Sequence, residues 1–88
     1  MREAKAARDW YAAQSPRAAA EYLFELDAAF AAILEHPQRW PTHVEGTRRY
    51  LLKRFPFGVV YREAEGLVEF LAVAHASREP GYWRRRAE

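Results

Sequence analysis

The chain has no cysteine among its 88 residues. That excludes a disulfide framework and a thiolate metal site, so a small fold must be held by its apolar core, by a partner, or by both. Long apolar runs are missing too. The longest stretch without Lys, Arg, Asp or Glu is the eight residues Phe70–Ser77, far short of the roughly 20 that cross a bilayer. Glycine is scarce, and no glycine-rich phosphate loop, nucleophile elbow or paired-carboxylate constellation is present. His36 and His43 lie near prolines and no His-x-x-x-His spacing occurs, so neither a metal nor any other cofactor is expected. Met1-Arg2-Glu3 runs straight into a charged, alanine-rich segment rather than an apolar signal region. These absences predict a cytoplasmic protein without a membrane segment.

What is present suits one globular domain over residues 1–88: half the residues are hydrophobic and 30% are charged. A chain this short buries only about 60–65% of its unfolded surface, so company from a partner would matter. The net charge of +2 hides an asymmetry. Residues 1–46 carry five basic and seven acidic side chains, whereas residues 47–88 carry nine basic and five acidic. The second half is suited to a polyanionic or acidic partner, or else it is simply a solvated basic surface.

Twelve alanines fall in the first 35 residues, a composition of close-packed helices. A first helix is predicted from Arg2 to Ala13, with Ala7, Trp10 and Tyr11 forming an apolar stripe. Ser15 suits an N-cap and Pro16 the first position of a second helix, Pro16 to Glu35. There Ala19, Leu23, Leu26, Phe30 and Ile33 recur at helical spacing, while Glu21, Glu25 and Asp27 should leave toward solvent. Trp10, Tyr11, Tyr22, Phe24 and Phe30 read as core. His36-Pro37 ends the hairpin, and Trp40-Pro41 with Glu45-Gly46 marks a loop.

Beyond the loop the period changes to that of strands. Arg49–Phe55, Phe57–Glu63 and Leu67–His75 predict a three-stranded antiparallel meander, with turns at 56–58 and 63–66. Leu67–Ala74 is apolar except for Glu69 and reads as the central strand, covered on both faces. Glu79-Pro80 opens a short C-terminal helix carrying Tyr82, Trp83 and Arg84–Arg86. The predicted class is therefore α+β: an N-terminal helical hairpin packed on an antiparallel three-stranded sheet, with a short final helix.

Four cations are candidates for a phosphate or target surface. Lys53 and Arg54, adjacent in a strand, would point to opposite faces, and Arg62 and Arg78 sit at or beyond strand ends that a meander can bring together. Converged, they would suit a phosphate backbone or the charge of a phosphorane-like transition state. Unconverged, they would be solvated or paired with glutamates. His75 suits a general acid or base, or a structural strand end. Tyr82 and Trp83 can stack on a base while Arg84, Arg85 and Arg86 track phosphates; alternatively Trp83 staples the last helix to the sheet.

Taken together, "DWYAAQSP", "FELDAAFAAILEHPQRWP", "RRYLLKRFPFGVVYRE" and "VEFLAVAHASREPGYWRRR" resemble the RelE/ParE superfamily of bacterial type II toxin–antitoxin toxins, also called plasmid stabilisation proteins. The resemblance covers nearly the whole chain, and "RFPFGVVYR" with "AVAH-x-x-R-x-P-x-YW" is its most specific part. It implies a small α+β toxin that inhibits growth and is neutralised by a co-expressed antitoxin. It also implies a β-strand ahead of the first helix, whereas this sequence opens at that helix; the edge so exposed would be open to strand addition by the antitoxin. In the ribosome-dependent endoribonuclease branch, the RNA-binding and phosphate-charge role would fall on Lys53 or Arg54, Arg62 and Arg78, with His75 or Tyr82 as acid or base promoting 2′-hydroxyl attack in mRNA. In the ParE branch the toxin binds DNA gyrase and has no hydrolytic site. The leading expectation is mRNA cleavage on the ribosome, with gyrase inhibition close behind and a non-toxic, antitoxin-binding remnant third.

Overall fold

The computed structural model describes residues 2–76. The predicted final helix from Glu79, together with Arg78, Tyr82, Trp83 and Arg84–Arg86, lies outside the described residues.

Helices α1 (Arg2–Gln14) and α2 (Pro16–Glu35) are joined by the single residue Ser15. Ser15 has extended backbone geometry, and its Oγ accepts the Ala18 N–H at 3.4 Å while Pro16 occupies the first turn, so the N-cap reading holds. The Ser15 N–H in turn donates to Tyr11 O at 2.8 Å, which closes α1 as α2 begins. At the far end the His36 N–H donates to Ala32 O, and Pro37 cannot continue the ladder. Loop residues 37–47 include a short 3₁₀ turn, Val44–Gly46, and lead into the sheet.

The sheet is an antiparallel meander of β1 (Arg48–Leu51), β2 (Phe57–Ala64) and β3 (Leu67–His75) in spatial order β1-β2-β3. β2 and β3 meet in a two-residue turn at Glu65 (φ 55°) and Gly66 (φ 79°), the left-handed pair that a type I′ hairpin requires. The β2–β3 register runs from Phe57↔His75 to Ala64↔Leu67, with one irregularity between Val60 and Tyr61 that leaves Leu71 without a partner. That bulge sets which face each later residue takes. Phe57, Val59 and Tyr61 share the helix-covered face with His75, Val73 and Phe70. Gly58, Val60 and Arg62 share the other face with Ala74, Ala72 and Glu69.

The core forms where α2 crosses the first of these faces: Tyr22, Leu26, Ala29 and Ile33 pack with Val59, Tyr61 and Val73, and Ala7 and Leu52 close the cluster. Tyr11, Tyr22, Phe55 and Phe57 make an aromatic knot, with ring centroids 5.0–6.4 Å apart and mostly edge to face, the arrangement that ring quadrupoles favour. Its two tyrosines are anchored differently. Burial, with Tyr11 beside it, pushes the Tyr22 phenol up to about 12, and its OH donates to Ala4 O at 3.3 Å. Burial alone raises Tyr11.

Four expectations are corrected. β1 ends at Leu51 rather than Phe55: the Leu52 N–H still donates to Phe57 O of β2, but the Lys53 and Arg54 N–H groups are taken by the Glu25 carboxylate of α2 instead of a neighbouring strand. Among the described residues β3 is an edge strand and β2 is central; the apolar run of β3 reflects its helix-side packing and the burial of Ala72 on the other face. The buried line of α2 is Ala19, Tyr22, Leu26, Ala29 and Ile33; Tyr22 is core as read, Phe30 is partly buried against the same cluster, and Leu23 of the expected stripe turns outward instead, while small Ala29 lets the helix lie close to the sheet. Phe24 is 75% exposed and Trp10 59% exposed, so neither is core. Among the described residues no helix is long and apolar enough to cross a membrane.

Candidate functional site

The candidate cations fall into separate environments. Lys53 and Arg54 lie in the turn between β1 and β2, not within a strand. Both of their backbone N–H groups donate to Glu25 Oε1, and the Arg54 side chain meets Glu25 Oε2 at 3.3 Å and Glu21 Oε2 at 3.8 Å. The Glu25 side chain is only 13% exposed, which corrects the expectation that it points to solvent. Burial works to raise its pKa, but the N–H groups of Arg54 and Lys53 and the Arg54 guanidinium outweigh burial and hold it below the ordinary carboxylate value. Arg54 is therefore a clamp on the turn, whereas the Lys53 side chain makes no ion pair among the described residues.

Arg62 sits opposite Glu69 in the register and is bound to it, Nε to Oε1 at 2.5 Å, with both side chains about half exposed. His75 sits at the other end of the same ladder, its ring 5.2 Å from that of Phe57 at 74°. Five residues of β2 separate the two rows, roughly 17 Å along the strand, and the two side chains take opposite faces. The structure thus brings together neither Arg62 with His75 nor Arg62 with Arg54. Arg78, Tyr82, Arg84 and Arg85 lie outside the described residues.

A second grouping was not legible beforehand. Outside β1, residues 41–43 act as a short extra strand: Arg49 N–H donates to Pro41 O at 3.1 Å, His43 N–H donates to Thr47 O at 2.8 Å, and Thr42 bridges to Arg48. Arg48 Nη1 donates to Trp40 O at 2.6 Å, and the Trp40 ring packs edge to face on Tyr50, 4.5 Å away. This flap and β1 enclose a cleft of about 480 Å³ whose walls include Arg39, Trp40, His43, Arg49, Tyr50 and Lys53. Arg39 lies over the Trp40 ring at 5.3 Å, within cation–π range. Burial lowers the pKa of His43, and nearby Arg49 lowers it further. A more open hollow of about 610 Å³, at Glu35–Arg39 and Glu63, mixes carboxylates with cations and has no such consistent sign. The signal for the cleft was present as Arg39, Arg49 and Lys53, but only strand pairing shows that residues ten or more apart line it. Among the described residues no cluster of His, Asp or Glu could hold a metal ion.

A helical hairpin laid across a three-stranded antiparallel meander is the architecture expected of the small toxins that the sequence resembles. The family model for the ParE toxin of type II toxin–antitoxin systems, parDE, matches residues 1–80, and the chain belongs to that family. It is the toxin of a type II module, and membership implies an antitoxin as partner. No curated protein matches the chain, and no solved structure does.

Proposed function

We propose that this toxin inhibits growth by binding DNA gyrase, the ParE-branch mode, rather than by cutting mRNA. The observation that supports this is the separation of Arg62 from His75. Attack of a 2′-hydroxyl on the next phosphate needs a proton acceptor and phosphate-binding cations within reach of one scissile bond. Here Arg62 is bound to Glu69 on one face of the sheet, while His75 packs on Phe57 on the other. Arg54 is likewise committed to Glu25 and Glu21. A surface that acts by protein–protein contact needs no such constellation, and the match to the ParE family model favours the same branch.

The test pairs two assays on the purified chain. Supercoiling of relaxed plasmid by gyrase should fall as toxin is added, and mRNA on translating ribosomes should stay intact by primer extension. Toxin-dependent cuts in the mRNA with supercoiling unchanged would reverse the proposal and return the site to Arg78 and Tyr82 with one of the described cations.

A further inference from the structure

We propose that the cleft between the Trp40–His43 flap and β1 is a nucleotide-binding site, with Arg39, Arg49 and Lys53 holding the phosphates and Trp40 and Tyr50 walling the base. The inference is independent of the target the toxin takes.

It rests first on charge. Three cations line one cleft, no carboxylate is among its lining residues, and none of the three is in an ion pair among the described residues. Like charges crowded together are unfavourable without a counter-charge, and three of them are matched by a di- or triply charged phosphate group better than by one carboxylate. The lining is also rich in donors. Arg39, Arg49 and Lys53 bring the N–H groups of two guanidiniums and an ammonium. A phosphate offers several acceptor oxygens, and the Trp40–Tyr50 edge-to-face pair offers an aromatic wall that tolerates any base.

The backbone is built to keep this arrangement. Gly58, directly opposite Leu51 in the register, leaves the aliphatic stem of Arg49 room to lie across β2: a Cβ there would stand 3.0 Å from Arg49 Cγ and 3.1 Å from Leu51 Cδ2. The flap is tied to β1 by the Arg49 N–H bond to Pro41 O, and the loop closes on itself where the His43 N–H donates to Thr47 O. The first bond takes an outward N–H of β1 at its Arg48–Arg49 end, where Thr42 already bridges to Arg48, and so disfavours an added peptide strand there.

Titrating ADP into the ¹⁵N-labelled full chain, with the indole resonance of Trp40 assigned through Trp40→Phe, tests the site by NMR. Saturable shifts are expected at the Trp40 indole and at the Arg49 and Tyr50 amides. Arg49→Gln and Lys53→Gln should each weaken binding about tenfold, the value of one charge-assisted contact, while keeping a dispersed folded spectrum. Arg17→Gln, on the exposed surface of α2, should bind as the parent does. Absence of saturable shifts overturns the proposal. So does pyrophosphate binding as tightly as ADP, which would remove the base wall, or a glutamate-rich peptide binding through the same residues at equal affinity, which would make the cleft a docking surface for an acidic protein.

Discussion

The two ends of β2 use the same kinds of side chain to different effect. At the Phe57–Val59 end, the aromatic knot covers the strand and the preceding turn is clamped by Glu25, whose carboxylate is largely withdrawn from water. At the Arg62–Ala64 end the strand emerges into solvent, a tight turn follows, and Arg62 and Glu69 pair half exposed. Both ends carry an Arg–Glu contact. Only the first can be worth much, because a buried carboxylate that lost its partners would be left uncompensated, whereas water replaces the partners of the second at little cost. The lesson for function is that neither arginine is a spare cation. One is a structural clamp and the other is a surface pair, whereas Arg39, Arg49 and Lys53, in no ion pair among the described residues, line a cleft beside β1.

The largest expected effect comes from emptying the knot. Tyr22→Ala should cost roughly 3–5 kcal/mol in urea unfolding, as large aromatic truncations do; a loss below about 1 kcal/mol would mean that the two ends are equally loose. Next comes the clamp. Glu25→Gln should cost about 1–3 kcal/mol near neutral pH by leaving two N–H groups and a guanidinium without their charged acceptor. Because the folded-state pKa of Glu25 lies below its unfolded value of about 4.3, its stabilisation is complete above that value and is lost as pH falls through the folded one. Stability followed from about pH 6 to about pH 3 should therefore decline more steeply in the parent than in Glu25→Gln.

At the exposed end the effects are smaller. Gly66→Ala puts a Cβ on a residue at φ 79° and should cost about 1 kcal/mol by thermal unfolding. Glu65→Asn should gain a few tenths of a kcal/mol, since Asn-Gly suits a type I′ turn better. The smallest effect is that of the surface pair. A double-mutant cycle on Arg62→Ala and Glu69→Ala should yield a coupling of about 0.2–1 kcal/mol that fades in ~1 M salt. A coupling as large as that of the Glu25 clamp would erase the contrast between the two ends.

Much of this was readable one residue at a time. Ser15-Pro16 announces the start of α2 because a cap and a first-turn proline act locally, and Glu65-Gly66 marks the hairpin because positive φ is a property of the turn itself. β3 could be bounded at Leu67 and His75 from its composition. Its place in the sheet could not, because an edge strand packed under helices carries the same apolar run as a central one. The rotation of the α2 stripe was only partly legible. Tyr22 was readable as core, but Leu23 beside it is equally apolar and turns outward, a choice made by how the whole helix rotates on the sheet. For the candidate site, Lys53, Arg54, Arg62 and His75 were identifiable as chemical types. Whether they meet depends on register, and on the Leu71 bulge that sets the faces of the later residues.

The sequence by itself determined the order of helices and strands, the capped hairpin, the tight β2–β3 turn and, through the motifs of its second half, the toxin family. These follow from short-range rules: propensity, caps, turn geometry and period. Only the tertiary structure decided that Glu25 turns inward to hold the 53–54 turn, that Arg62 and His75 stand on opposite faces, and that Arg39, Arg49 and Lys53 share a cleft. Each of these relates residues far apart in the chain. Their meeting is set by strand pairing and helix rotation, which minimise exposed apolar surface over the whole domain and not over any one segment.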